Sequence, residues 1–343
     1  MSADSGQGLS HCAALVRSEQ PERYLATLFA PPEAREALFA LYAFDHETGK
    51  ARHVVSEPMA GLIRLQWWRD ALAAAEPPAH PVARALHEAL GGFALGRDRL
   101  EGAIDARERE LEDPPPADLA ALERHLAATS GAITVAALAA LGATDPASCA
   151  AGERIGLVVG LAGLVRALPA DLAHGRSLLP TAELTRHGLD PEDLGEAGIR
   201  LDPVLVWLAA RGVAHLQAAR AQRAAVPRAA LPALLPGTLA AAYLERLGRA
   251  RHDLLARSRQ PRPALAPLAL LWRYATARFK IRCRSRRSPV GVSVRRVRPG
   301  PRPAFATGCR SRSRPTSCGC SRCRAPAAPR DRRRCAPRPA RGR

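Results

Sequence analysis

The chain has 343 residues and a formal net charge of +19, but that charge is not spread along it. Residues 279–343 hold 21 of the 51 Lys and Arg residues and one of the 32 acidic residues, Asp331, which leaves 30 basic and 31 acidic groups in the first 278. A nearly neutral body carries no electrostatic footprint for nucleic acid, and no nucleic-acid partner is expected for it.

The body is rich in Ala and Leu, poor in Ile and Thr, and almost free of alternating β-branched runs. Propensity and the 3.6-residue recurrence of apolar positions both favour helix. About 280 residues can bury a large core. No run of about 18 uncharged apolar residues occurs, so no transmembrane helix is expected. The start Met-Ser-Ala-Asp lacks a basic region leading into an apolar stretch, so no secretory signal is expected. Of eight cysteines only Cys12 and Cys149 lie in the body, too few for a disulfide framework, and a reducing cytoplasm is the expected setting.

In chain order, a polar lead ends in a first helix around Cys12–Arg17. Pro31-Pro32 opens a helix from about Glu33 to the Lys50 region, which Ser56-Glu57-Pro58 breaks. An amphipathic helix follows from Gly61 to Ala75, and its face could rest on a bilayer. Further helices are predicted over Pro81–Leu95, Asp98–Glu112, Ala117–Leu141 and Pro146–Leu168, the last stopping near Pro169. Thr181–Leu184 starts a short helix. Pro203–Ala225, Ala229–Ala256 and Pro267–Phe279 complete the set. No sheet is predicted, and so many helices of this length suggest one bundle domain over residues 1–279. Residues 280–343, dominated by Arg, Pro, Ser, Gly and Cys, show no apolar period and are expected to be disordered. Cys318, Cys320 and Cys323, with Cys309 and Cys335 irregularly placed, do not make the regular pairs of a four-ligand zinc site. A GC-rich gene read in a shifted frame yields this mixture of residues.

Three stretches carry the functional signal: Leu38–Pro58 (LFALYAFDHETGKARHVVSEP), Arg64–Arg69 (RLQWWR) and Gly160–Pro180 (GLAGLVRALPADLAHGRSLLP). Together they resemble the squalene/phytoene synthase family, over about Cys12 to Phe279. The resemblance implies an all-α, isoprenoid-synthase-like helical bundle with a central cavity, joining two prenyl diphosphates head to head. It also implies two aspartate-rich helical motifs facing each other. Carboxylates at i, i+3 or i+4 share a helix face, and such oxygen clusters suit Mg²⁺, which stabilises the departing diphosphate.

The family's first motif, Asp-Asp-x-x-Asp, falls here on Gly49, Lys50 and His53. None replaces a carboxylate. Asp45 and Glu47 survive nearby and are expected on other faces of the helix. In the second motif, Gly163 stands at the asparagine, Arg166 at the arginine, Ala167 at the first aspartate and Asp171 at the second. Gly175-Arg176 and Leu179-Pro180 match the closing turn, with Leu178 where tyrosine is usual.

Leu41–Pro58, Gly61–Arg69 and the Leu-x-Arg-Ala-x-Pro run at 164–169 are instead similar to a divergent branch that includes the mitochondrial complex I assembly factor and its bacterial relatives. That resemblance implies a non-catalytic role in respiratory complex I assembly, with complex I subunits or other assembly factors as partners. No cofactor is then expected, and the place of work is cytoplasmic, peripheral to the inner membrane. The competing reading is an Mg²⁺-dependent prenyltransferase in which Asp171, Asp45 and Glu47 supply the metal sites. A third reading is a binding module: Lys50, Arg52 and His53, with Arg166 and Arg176 opposite, would hold an anionic isoprenoid or lipid head directly.

Plainer roles exist for each residue. Lys50, Arg52 and Glu47 suit exposed helix charges, and His46 and His53 suit hydrogen-bonded structural histidines. Asp171 can cap or pair with Arg176. Arg64 and Arg69 can pair with Glu57 or Asp70. Of Trp67 and Trp68, only one can face the core.

Overall fold

The structure, a computed structural model, describes residues 9–54, 58–112, 114–190, 194 and 198–249. They fall within one compact unit, Met1–Arg284; the second unit, Ser285–Arg343, lies outside the described residues, as do the predicted helix at Pro267–Phe279 and the tail. Among the described residues all regular structure is helical.

Start signals in the sequence set several of the helices. Ser10 caps α1 (His11–Glu19), its hydroxyl accepting from the Ala13 amide at 3.1 Å. Proline opens α2 (Pro21–Thr27) and α3 (Pro32–Gly49), where its missing N–H costs nothing. A break at Lys50 separates α3 from the single turn α4 (Ala51–Val54), and α5 (Pro58–Ala73) follows. Then come α6 (Pro81–Gly92), α7 (Arg97–Glu112) and α8 (Leu119–Leu126), the last capped by Asp118. After α9 (Ala132–Ala140), the 28-residue α10 (Pro146–Ala173) starts under the cap of Asp145. The short α11 (Thr181–Arg186), α12 (Asp202–Ala221) and α13 (Leu235–Arg249) complete the unit.

The centre is built from α3, α9 and α10. Every residue of α9 is buried, and α3 buries twelve of its eighteen, so these helices are enclosed on most sides. α10 packs against α9, α12 and α13, α3 packs against α1, α6 and α9, and α5 packs on α7. Trp68 is fully buried against Phe44, with ring centroids 5.5 Å apart and edge to face, while Trp67 is 38% exposed.

Several expectations are corrected. The predicted helix over 117–141 is three pieces: a π-helical turn, Ala127–Gly131, separates α8 from α9. Its cause is tertiary. A Cβ on Gly156 of α10 would lie 2.3 Å from the Gly131 Cα, so the two backbones touch at that crossing. Pro169 does not end its helix, which runs on to Ala173; Pro169 is itself buried, and Gly175 at φ +65° marks the stop. The predicted 229–256 helix begins as a 3₁₀ segment, Arg228–Leu234, because Pro232 and Pro236 withhold the amides a continuous α-helix needs. Finally, α10 is long and apolar enough to cross a membrane by length and composition, against expectation; 67% of its apolar window is buried in the bundle.

Candidate functional site

A cavity of about 400 Å³ opens between α3, α4, α7, α10 and the π-helical turn. A second, of about 740 Å³, shares Arg52, Glu110, His125 and Leu178 with it and extends under Pro114–Pro116. Both lie in the range of small-molecule sites. Walls of the first are apolar at Leu126, Val159, Leu164, Leu178, Pro236 and Ala240. Its charged lining is Arg23, Lys50, Arg52, Arg107 and Arg166 against Glu22, Asp45, Glu110 and Asp171.

Asp45 lines this cavity, which corrects the expectation that it points elsewhere. It stands one helical turn before Gly49, so i, i+4 spacing puts the two on one face. Its carboxylate accepts from Arg23 of α2 through Oδ2 and from Arg107 of α7 through Oδ1. Burial alone would push the Asp45 pKa up, but the two guanidiniums overcome it and hold the carboxyl below its ordinary range. Arg107 also fills the space beside Gly49, where an added Cβ would lie 2.6 Å from Arg107 Nη1. The position of the family's first aspartate is therefore covered by a guanidinium.

Glu47 does not line the cavity. It is buried against α5, taking Lys50 Nζ at 2.8 Å and Arg64 Nη2 at 2.5 Å. Arg64 thus pairs with Glu47 where Asp70 is one expected partner; Glu57, the other, lies outside the described residues. Arg69 likewise reaches α7, with both its terminal nitrogens on Glu108 at 2.7 and 2.9 Å and one on Asp105 at 2.5 Å.

Arg52 and Glu47 are not exposed helix charges: they are 6% and 8% exposed. Arg52 Nε lies 3.6 Å from Asp171 Oδ1, an ion pair too long for a hydrogen bond. Its Nε and Nη1 are buried without a hydrogen-bond partner. His46 also departs from the structural reading, since its Nε2 is buried with none. Arg166 donates to Glu22 Oε1 at 3.2 Å and lies 4.4 Å over the Tyr243 ring. Arg176 lines the second cavity and donates to the Arg52 carbonyl, tying the loop after α10 to α4. The side chain of His53 lies outside the described residues.

Arg23, Arg107, Glu110 and His125 were not singled out from the sequence. Glu110 accepts from His125 Nε2 at 2.7 Å on the wall shared by both cavities. The helix bearing Arg107 and Glu110 carries charges on ten of its sixteen residues, so nothing in it marks these two as inward-facing.

These donors do not fit Mg²⁺. Asp45 is engaged by two arginines, Asp171 faces Arg52, Glu47 points away, and among the described residues no three His, Cys, Asp or Glu side chains gather as a ligand set.

The fold is shared with solved structures. A dehydrosqualene synthase aligns with TM-score 0.66 at 17% identity, over 78% of this chain and 95% of that one. A squalene synthase from Alicyclobacillus acidocaldarius aligns with TM-score 0.60 at 20% identity, over 69% and 92%. In sequence, the chain is 31% identical over 281 residues to the Bos taurus NADH dehydrogenase (ubiquinone) complex I, assembly factor 6, covering 79% of this chain and 84% of the relative. The Drosophila melanogaster homologue of that protein is 30% identical over 294 residues, covering 80% and 86%. A presqualene diphosphate synthase from Sinorhizobium fredii is 26% identical over 174 residues, half of this chain. The squalene/phytoene synthase family model matches residues 16–267. With its helices in that arrangement and its likeness to assembly factor 6 running over most of both chains, the protein belongs to the squalene/phytoene synthase family.

Proposed function

We propose that this protein is a non-catalytic member of its family that acts in the assembly of respiratory complex I. The observation that carries the reading is the state of the surviving carboxylates. Asp45, one turn before the first motif, is held by Arg23 and Arg107, and Asp171, at the second motif's remaining aspartate, faces Arg52, so both act as partners of guanidinium groups. The complex I assembly factors named among its relatives support the biological half of the proposal. Its partners are then complex I subunits or other assembly factors, and its place of work is the face of the membrane on which complex I is built, as a peripheral protein. It needs no cofactor. Prenyl transfer is the less favoured reading, because it would need Arg107 to leave Asp45 and the space beside Gly49 before a metal could enter.

The test pairs a reaction with a phenotype. Purified full-length protein with farnesyl or geranylgeranyl diphosphate, Mg²⁺ and NADPH is expected to release no pyrophosphate, and loss of the gene is expected to lower the amount of assembled complex I on native gels. Pyrophosphate release abolished by Asp171→Ala would restore the synthase reading. Normal complex I in the deletion strain would remove the assembly role.

A further inference from the structure

We infer that the cavity holds a singly charged amphipathic anion, a carboxylate or phosphodiester head on an apolar tail, seated directly on the guanidinium of Arg52. The inference rests on the reading of the site as non-catalytic and adds the ligand class.

Three observations converge on Arg52. Its side chain is 94% buried, and its Nε and Nη1 have no hydrogen-bond partner. Burying guanidinium donors without partners is costly, and an oxyanion head supplies two acceptors in the fork geometry that guanidinium matches. Next, Arg52 lines both cavities, so a head group on it has room for a tail on either side. The apolar walls at Leu126, Val159 and Leu164 are suited to such a tail.

The third observation is charge. Among the described residues, five Lys and Arg side chains of the first cavity face four Asp and Glu side chains. Asp45 takes two of the cations, Arg23 and Arg107, Glu22 takes Arg166, Glu47 outside the cavity takes Lys50, and Asp171 faces Arg52 at 3.6 Å without a hydrogen bond between them. The net excess is one positive charge, which one negative charge balances. A diphosphate would bring more than that next to Asp171 and Glu110, with no metal site to neutralise it. Singly charged heads are therefore preferred over the diphosphates that the family's enzymes use.

The experiment uses the full-length protein in EDTA, with melting temperature and equilibrium binding as readouts. The probes are laurate, dihexanoyl phosphatidylglycerol, dodecylamine and farnesyl diphosphate. Laurate or the phosphatidylglycerol is expected to bind and raise the melting temperature, and which of them does so identifies the head group. Dodecylamine is expected not to bind, and farnesyl diphosphate to bind more weakly than the preferred anion. Arg52→Gln is expected to weaken binding about 10- to 100-fold, the loss of a charge-assisted hydrogen-bonded contact, with Arg52→Lys recovering part of it. Binding of the amine as tight as that of the anions, tighter binding of the diphosphate, failure of both anions, or an unchanged affinity in folded Arg52→Gln would each overturn the inference. Should Arg52→Gln not fold, the charge selectivity of the wild-type protein decides alone. Pyrophosphate release is scored separately with Mg²⁺, so failed binding without turnover removes the ligand class and leaves the non-catalytic reading in place.

Discussion

Asp45 shows how one residue changes meaning with its neighbours. In a metal site a carboxylate at this cavity would be a ligand; here it is the anchor for two guanidiniums brought from 22 residues before it and 62 after it. Removing one partner of such a buried network strands the others as unpaired charges, which costs more than the network itself contributes. Asp45→Asn is therefore expected to destabilise the protein by about 3–5 kcal/mol, measured by urea denaturation. A cost below about 1 kcal/mol would mean that Arg23 and Arg107 find other partners. Glu47, clamped by Lys50 and Arg64, fastens α3 to α5 and plays no part in the cavity.

At the level of the element, the crossing of α10 with the π-helical turn shows where periodicity stops being informative. Residues 117–141 read as one helix because their apolar spacing is helical throughout. The extra residue of the π turn reflects packing: Gly131 and Gly156 let two backbones meet, and the turn adjusts to that contact. Two alanine substitutions in α10 separate these causes. Gly156→Ala puts a Cβ against backbone, which cannot step aside, and is expected to cost about 3 kcal/mol, the upper end for overpacking. Gly163→Ala, seven residues on, meets nothing within 4 Å and is expected to stabilise by about 0.5–1 kcal/mol through helix propensity. Thermal or urea unfolding of the two variants reads both; similar effects of the same sign would show that the crossing is not tight. Proline start signals, by contrast, were legible in the sequence: Pro32, Pro81 and Pro146 open their helices because a proline in the first turn acts locally. The caps at Ser10, Asp118 and Asp145 came from the structure.

At the scale of the molecule, the shifted carboxyls and histidines among the described residues are all tuned downward. The carboxyls of Asp45, Glu47, Glu110 and Glu123 would each be raised by burial, yet hydrogen bonds and opposite charges from their Arg, Lys or His partners hold them below their ordinary values. His46, His80 and His215 are held down first by burial. In both cases the unfolded chain takes up protons before the folded one does as the pH falls, so acid favours unfolding. The stabilisation from the histidines is complete above their unfolded pKa of about 6.5, and that from the carboxyls above about 4. Melting temperature is expected to be flat from about pH 7 to 8, to decline gently below about 6.5 and to fall steeply below about 4. Melting curves across that range check it, and a melting temperature that rises on acidification would contradict the tuning.

The sequence by itself determined the helical class, the family, and the absence of aspartates at Gly49, Lys50, His53 and Ala167, since each of these depends on residue identity and short-range spacing. It did not show what replaced those aspartates. Arg23, Arg107, Glu110 and Arg52 acquire their roles only when α2, α4, α7 and α10 converge on α3, and a charged helix looks the same in sequence whichever of its charges turns inward. The tertiary structure alone decided that Asp45 belongs to two arginines, that Arg107 covers the place of a lost ligand, and that the guanidinium of Arg52 is buried with donors to spare, because such contacts join residues far apart in the chain and arise from packing rather than from local propensity.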